Sequence, residues 1–297
     1  MSDAGTGYQP TAQEVKALRE RTGLPMMECK KALAEAGGDP EKAVEILRQQ
    51  GAKVSQKKTG RTTAEGRIEV FRTPDNAVVG VAVVLCEQAP TARNEKFVQL
   101  VKAFAKQAAL LDQEPSVDAV LSAPLPDDGS GRTGKDLLLE VINLIRENMQ
   151  LAAVDRLKAD GGVVGAYVHF NYQEAAIVRL EGKDATGELA DEVAANIVAF
   201  KPRFATVEEV PEEELEKERR ILMEAVRAEG KPEHIAEKIV EGRLRAGFFA
   251  ENVALQQPYV QNPRQTLGDY LKSKGDVRIA TFRRFKIAEI AESVTQA

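Results

Sequence analysis

The sequence predicts an α+β fold. It should contain an N-terminal three-helix unit, a two-part core with antiparallel sheets, and an inserted helical hairpin. Three observations support this. With 297 residues the chain is too long for one core of ordinary size, so it should divide into two or more packed units. Hydrophobic residues make up 43% and charged residues 29%, a balance that excludes global disorder. A pair of strand-like apolar runs followed by a run of helical period occurs twice, which suggests two related half-domains.

The elements follow in order. Thr11 and Glu14 form a capping box, in which each side chain satisfies an orphan backbone donor, and Val15 and Leu18 begin an apolar face. That helix should stop near Gly23. Pro25 suits the first turn of a second helix carrying Met26, Met27, Cys29, Lys30 and Leu33, ended by Gly37 and Gly38. Asp39 and Pro40 start a third helix with Ala43, Val44, Ile46 and Leu47, expected to close at Gly51. Residues 51–66 then lose periodicity, and Lys53, Lys57, Lys58, Arg61 and Arg67 meet a single acid, Glu65. A solvated linker is the plainer reading. A phosphate-contacting arm is the sharper one, without the aromatic platform such arms use.

Strands are expected over 67–72 and 78–85, the second so apolar that both its faces should be buried. A helix over 94–111 carries Phe97, Leu100, Val101 and Phe104, and another over 135–150 carries Leu138, Val141, Ile142, Ile145 and Met149. Paired strands recur over 163–170 and 175–180, followed by a helix with Leu189, Val193 and Ile197. Pro211 opens a charged helix whose first-turn acids complement the helix dipole, and Gly230, Lys231 and Pro232 turn the chain into a second helix. A short helix over 266–274 and a strand over 277–285 finish the chain. The resulting division is 1–52 docking unit, 53–66 basic linker, 67–134 first core part, 135–200 second core part, 201–258 hairpin and 259–297 return segment.

Composition narrows function. No run of about 18 apolar residues exists to span a membrane, and residues 1–10 lack a signal-peptide core, so a cytoplasmic protein is expected. A net charge of −5 argues against general nucleic-acid binding. Two cysteines and two histidines leave little for a disulfide framework, a metal site or histidine-based catalysis. Gly129, Gly134 and Lys135 mimic part of a phosphate loop, but Asp136 stands where a magnesium-binding hydroxyl is needed, so an ordinary polar loop is expected. Cys86 with His169 as nucleophile and base has no local support. The chain therefore reads as a binding or regulatory protein, with no catalytic residue, cofactor or metal, and not as an enzyme.

Four stretches resemble the translation elongation factor Ts family, guanine-nucleotide exchange factors of elongation factor Tu. They are LRERTGLPMMECKKAL at 18–33, ENMQL at 147–151, IAEKIVEGRL at 235–244, and QPYVQNP with TLGDYLK over 257–272. Their order spans nearly the whole chain. The resemblance implies a ubiquitin-associated-like N-terminal domain and a partner, elongation factor Tu, which binds the GDP and GTP itself. It places Arg19, Met26, Met27 and Lys30 against that GTPase, with His169 in a core contact. It also implies that residues 88–91 form the loop that helps dislodge the partner's magnesium. The family carries Thr-Asp-Phe-Val there. This chain has Gln88, Ala89, Pro90 and Thr91, with Ala and Pro in place of Asp and Phe. The family's Arg-Arg after ENMQL is Ala152 and Ala153.

Two functions follow as expectations. One is nucleotide exchange on elongation factor Tu. The other is a diverged scaffold or chaperone-like binder of the same partner, with weak exchange because the Asp-Phe tip is absent. Adjacent helix residues point about 100° apart, so Met26 and Met27 should not both be buried. The hairpin's narrow apolar stripe suits self-association or a secondary contact.

Overall fold

The structure, a computed structural model, describes residues 8–58, 60–126, 129 and 131–296, with only the backbone of Glu233. In chain order the elements are α1 (Ala12–Thr22), α2 (Met26–Glu35), α3 (Pro40–Lys58), β1 (Glu65–Arg72), β2 (Val78–Cys86), α4 (Glu95–Leu110), α5 (Val117–Ser122), α6 (Gly134–Ile145), β3 (Met149–Lys158), β4 (Val163–Val168), β5 (Glu174–Glu181) and α7 (Gly187–Phe200). They continue with α8 (Glu212–Ala228), α9 (Glu233–Arg243), a π-helical segment Leu244–Phe249, α10 (Ala250–Asn252), β6 (Pro258–Tyr259), β7 (Asn262–Thr266), α11 (Leu267–Lys274), β8 (Arg278–Lys286) and α12 (Ile287–Gln296). The fold class is α+β. The sheets run β1-β2-β3, β4-β5-β8 and β6-β7.

Local signals work as the residues suggest. The Thr11–Glu14 capping box forms, and Gly23 ends α1 at φ 71. Asp39 caps α3, accepting from the Glu41 and Lys42 N–H groups at 2.9 and 3.2 Å. Asn94 caps α4 and Thr266 caps α11. Around Gly134 and Lys135, Thr133 and Asp136 make a second capping box. The acid at 136 therefore starts a helix, a local role that needs no phosphate.

Two sequence expectations fail. α3 does not close at Gly51 but runs to Lys58, so the first residues of the expected aperiodic stretch are helical. Gly51 is buried where α3 crosses α6, and an added Cβ would sit 3.0 Å from the Leu139 carbonyl oxygen. That close approach, not a helix end, is what the glycine serves. The helix expected over 135–150 stops at Ile145, with Arg146 left-handed at φ 65, and Met149 opens β3. Neither β3 nor α12 is signalled by periodicity.

The chain forms two compact units. One comprises the residues up to Glu69, Val81–Asp155 and those from Ile287 onward; the other is Val70–Gly80 with Arg156–Lys286. In the first, Leu18, Leu24, Cys29, Leu33 and Leu47 form a small core between α1, α2 and α3, and Leu144 of α6 packs on it. α4 buries Phe97, Leu100, Val101 and Phe104. In the second unit β5 is paired antiparallel by β4 and β8, with Val163 opposite Leu180 and Ala175 opposite Phe285. α7 covers this sheet so closely that a Cβ on Gly165 would lie 2.4 Å from the Ala190 backbone. Tyr259 and Tyr270 stack at 3.9 Å and both donate to Glu192, at 3.1 and 2.5 Å. α8 and α9 form the helical hairpin, closed around Leu215, Val226, Val240, Leu244 and Phe249.

Candidate functional site

Cys29, Ala32 and Leu33 turn one face of α2 inward, a spacing of three and four residues that fixes the helix's rotation. Met26 and Met27 stand on the outer side of its first turn, 51% and 62% exposed. Lys30 is exposed on α2, and Arg19 is exposed on α1 next to buried Leu18. Two adjacent unbranched thioether side chains in solvent form an adaptable apolar contact surface.

Beside Met27, Glu28 pairs with the Arg146 guanidinium. The Arg146 carbonyl accepts from the Lys58 ammonium. The next two residues hold a different loop. Glu147 Oε1 accepts from Thr91 Oγ1 at 2.6 Å, and the Asn148 N–H donates to Glu87 Oε1 at 2.6 Å. Asn148 Nδ2 donates to the Arg61 carbonyl at 2.9 Å, and Arg61 Nη1 reaches Glu87 Oε2 at 3.4 Å. The Asn148 N–H holds the Glu87 carboxyl below its usual range; partial burial opposes this and Arg61 adds to it. A turn of three residues, 146–148, thus ties α2 to the 87–91 loop within one compact unit.

The loop itself is tight. The Thr91 N–H donates to the Gln88 carbonyl at 3.0 Å and the Arg93 N–H to the Pro90 carbonyl at 3.1 Å. Gln88, Ala89 and Pro90 are exposed, but Thr91 is buried. The four expected loop residues therefore divide into a three-residue tip and one buried anchor. Cys86, just before the loop, is buried and donates weakly to the Gln88 carbonyl at 3.4 Å. Burial, then the Glu147 charge, pushes its thiol up to about 12, so it stays protonated at neutral pH and is no nucleophile.

His169 belongs to the second unit, at the β4–β5 turn. Its N–H donates to the Glu174 carbonyl at 2.8 Å, and its Nδ1 lies 3.2 Å from Tyr167 Oη. The half-buried imidazole packs against Phe170 with ring centres 4.5 Å apart, and Phe170 is 81% exposed. Tyr172 completes the turn in the left-handed region at φ 61.

The structure thus joins Met26, Met27 and the 88–90 tip through Arg146–Asn148, and sets His169 in a separate aromatic turn. Sequence reasoning overlooks Glu28, Arg61, Glu87 and Phe170. It notes ENMQL only as a resemblance and puts it in a helix. A signal exists: the loop that the resemblance places at 88–91 and the ENMQL stretch at 147–151 find a common physical purpose if they touch. Among the described residues, no group of three or more His, Cys, Asp or Glu could hold a metal ion, and no helix is long and apolar enough to cross a membrane.

Comparison with known proteins agrees over most of the chain. The family model described as Elongation factor TS matches residues 91–289. A protein named Elongation factor Ts from Clostridium kluyveri is 37% identical over 287 residues, 94% of this chain and 93% of its own length. One of the same name from Aquifex aeolicus is 38% identical over 289 residues, 93% and 97% of the two chains. Another from Methylococcus capsulatus is 39% identical over 279 residues, 94% and 92%. The matching motifs, the α+β architecture and likeness along nearly the full length lead to one conclusion: this chain belongs to the translation elongation factor Ts family.

Proposed function

We propose that the chain is a guanine-nucleotide exchange factor that binds elongation factor Tu in its GDP form and promotes GDP release, so that GTP can bind. It acts as a binding protein, makes and breaks no covalent bond, and leaves the nucleotide to its partner. An exchange factor must bind the nucleotide-free partner more tightly than the GDP-bound one, since the coupling is reciprocal. A thousandfold acceleration corresponds to about 4 kcal/mol of barrier.

The observation that carries this reading is the solvent-facing Met26–Met27 pair, coupled by the Glu28–Arg146 pair and the Glu147–Asn148 hydrogen bonds to the exposed tip at 88–90. The methionines supply the apolar anchor. The tip is held at fixed height by β2, α4 and the 146–148 turn, so it meets the partner as a rigid probe, at little ordering cost. Exposed Phe170 beside His169 offers a second apolar contact. Ala89 has no carboxylate and Pro90 no aromatic wedge, so exchange leans on docking rather than on magnesium displacement. The same two residues favour the second reading, a scaffold of elongation factor Tu with weak exchange.

Stopped-flow release of labelled GDP from elongation factor Tu separates the two readings. Acceleration by catalytic amounts of the chain is expected, and Ala89→Asp with Pro90→Phe should raise the rate further. Release at the spontaneous rate with tight binding retained would establish the scaffold instead.

A further inference from the structure

The first compact unit contains a cleft of about 260 Å³ on the side of α3 that faces α6. Its apolar wall is Leu24, Val44 and Leu47, and three guanidiniums line it, from Arg21, Arg48 and Arg132. Arg21 forks onto Glu41 at 2.5 and 2.8 Å, and Arg132 reaches Glu140 at 2.8 Å. Arg48 has no hydrogen bond or ion pair among the described residues and acts on Glu41 only through space. The Arg132 charge also works against that of Arg21. Glu41 and Glu140 offset Arg21 and Arg132, which leaves the Arg48 charge uncompensated in the cleft.

Asn143 of α6 belongs to the same wall. Asn143 is 2% exposed, and its Oδ1 is buried without a hydrogen-bond donor among the described residues. A buried acceptor left alone costs free energy, so such atoms usually have a partner. That oxygen has no surface open to the cleft, so the cleft itself combines an unpaired guanidinium with an apolar wall. A cavity of about 150 Å³ already holds benzene; this one has room for a single ring with substituents.

We propose that this cleft binds a small organic anion: a carboxylate or phosphate head on Arg48 and an apolar body of about one ring against the wall of Leu24, Val44 and Leu47. Guanidinium suits either head because its planar donors fit two oxygens at once. The site is separate from the Met26–Met27 and 88–90 surface, and its occupancy is read without any exchange assay.

The test is a titration of the full chain, followed by two-dimensional NMR of backbone and arginine side-chain N–H groups. The probes are 4-hydroxyphenylacetate, phenylacetate, phenyl phosphate and neutral 4-methylphenol. Saturable shifts confined to α1, α3 and α6 are expected, with the anions binding at least about tenfold tighter than 4-methylphenol. Arg48→Gln, a change at a half-exposed position, should weaken both anion types by about tenfold and leave the free protein's spectrum otherwise intact. Tighter binding of phenyl phosphate than of the carboxylates would identify phosphate as the head. No saturable shift below about 10 mM would overturn the proposal and leave the cleft to water. Equal binding of neutral and anionic probes, or indifference to Arg48→Gln, would overturn it as well.

Discussion

Two stretches of the chain are built to one plan and expose opposite ends of it. β1 and β2 pair and lead into α4, while β4 and β5 pair and lead into α7; in each sheet a third strand, β3 or β8, lies beside the second. In the first repeat the turn between strands is polar. Thr73, Asp75 and Asn76 close it with their own hydrogen bonds. The strand-to-helix loop carries the exposed tip at 88–90. In the second repeat the arrangement reverses. The strand-to-helix loop ends in the Thr186 cap, while the turn between strands carries His169, exposed Phe170 and Tyr172. Topology therefore does not choose the contact loop. The neighbours do: Glu147 and Asn148 lock one loop from outside, and the tilted contact of Phe170 with His169 packs the other.

The largest expected effect tests whether the second repeat is as tightly packed as its geometry implies. Gly165→Val drives a branched side chain into α7, with a loss of about 3 kcal/mol or more in urea unfolding. An unchanged midpoint would mean that α7 can retreat from the sheet.

Next comes the methionine pair. Met26→Ala with Met27→Ala should weaken binding to elongation factor Tu by about 2 kcal/mol, roughly thirtyfold. Stability should move by less than about 0.5 kcal/mol, because both side chains are already in solvent. A large fall in Tm at constant affinity would assign them to the core.

Glu87→Gln sharpens the contrast between the two loops by cutting one outside lock. The expected loss is about 1.5 kcal/mol, with faster hydrogen exchange at the Asn148 amide. The pH response has a definite sign. The folded carboxyl titrates below its ordinary value, so its stabilisation is complete above about pH 4.3 and fades as pH falls through the folded value. Corrected for the intrinsic pH dependence of amide exchange, the rate at Asn148 should accelerate over that acid window in the native chain and stay flat in the variant. Acceleration in both would place the titrating group elsewhere.

The smallest effect is expected from the hairpin. Its partners Arg219–Glu241 and Arg243–Glu229 are surface ion pairs in water, of the kind that adds little to stability. Ile221 is the exposed large hydrophobic residue on α8. Replacing 211–249 by a short linker should leave GDP release changed by less than about twofold, equivalent to about 0.5 kcal/mol. A folded deletion variant that no longer releases GDP would give the hairpin a part in the mechanism.

Much of the fold is legible residue by residue. α4 shows its cap at Asn94 and its stripe of Phe97, Leu100, Val101 and Phe104. β2 shows a continuous apolar run, and the α8–α9 turn shows Gly230 and Pro232. Other parts are hidden. β3 holds Asp155 and Arg156 among its apolar residues, and becomes a strand by pairing with β2. The end of α6 is missed because an arginine, not a glycine or asparagine, takes the left-handed position at 146. Helix geometry exposes at least one of Met26 and Met27, and only the inward turn of Cys29, Ala32 and Leu33 exposes both; burial of Thr91 does not follow from its loop sequence either.

By itself the sequence determined the caps, the helix and strand periods, the hairpin and the family, since each depends on residues a few positions apart or on matched motifs. Only the tertiary structure decided that α3 continues through Gly51, that the chain turns from helix to strand at Arg146, and that Glu87 meets Asn148. The physical reason is range. A capping box acts across three residues, but the Glu87–Asn148 hydrogen bond spans 61 positions, and the packing of α3 on α6 outweighs the local tendency of a glycine to end a helix.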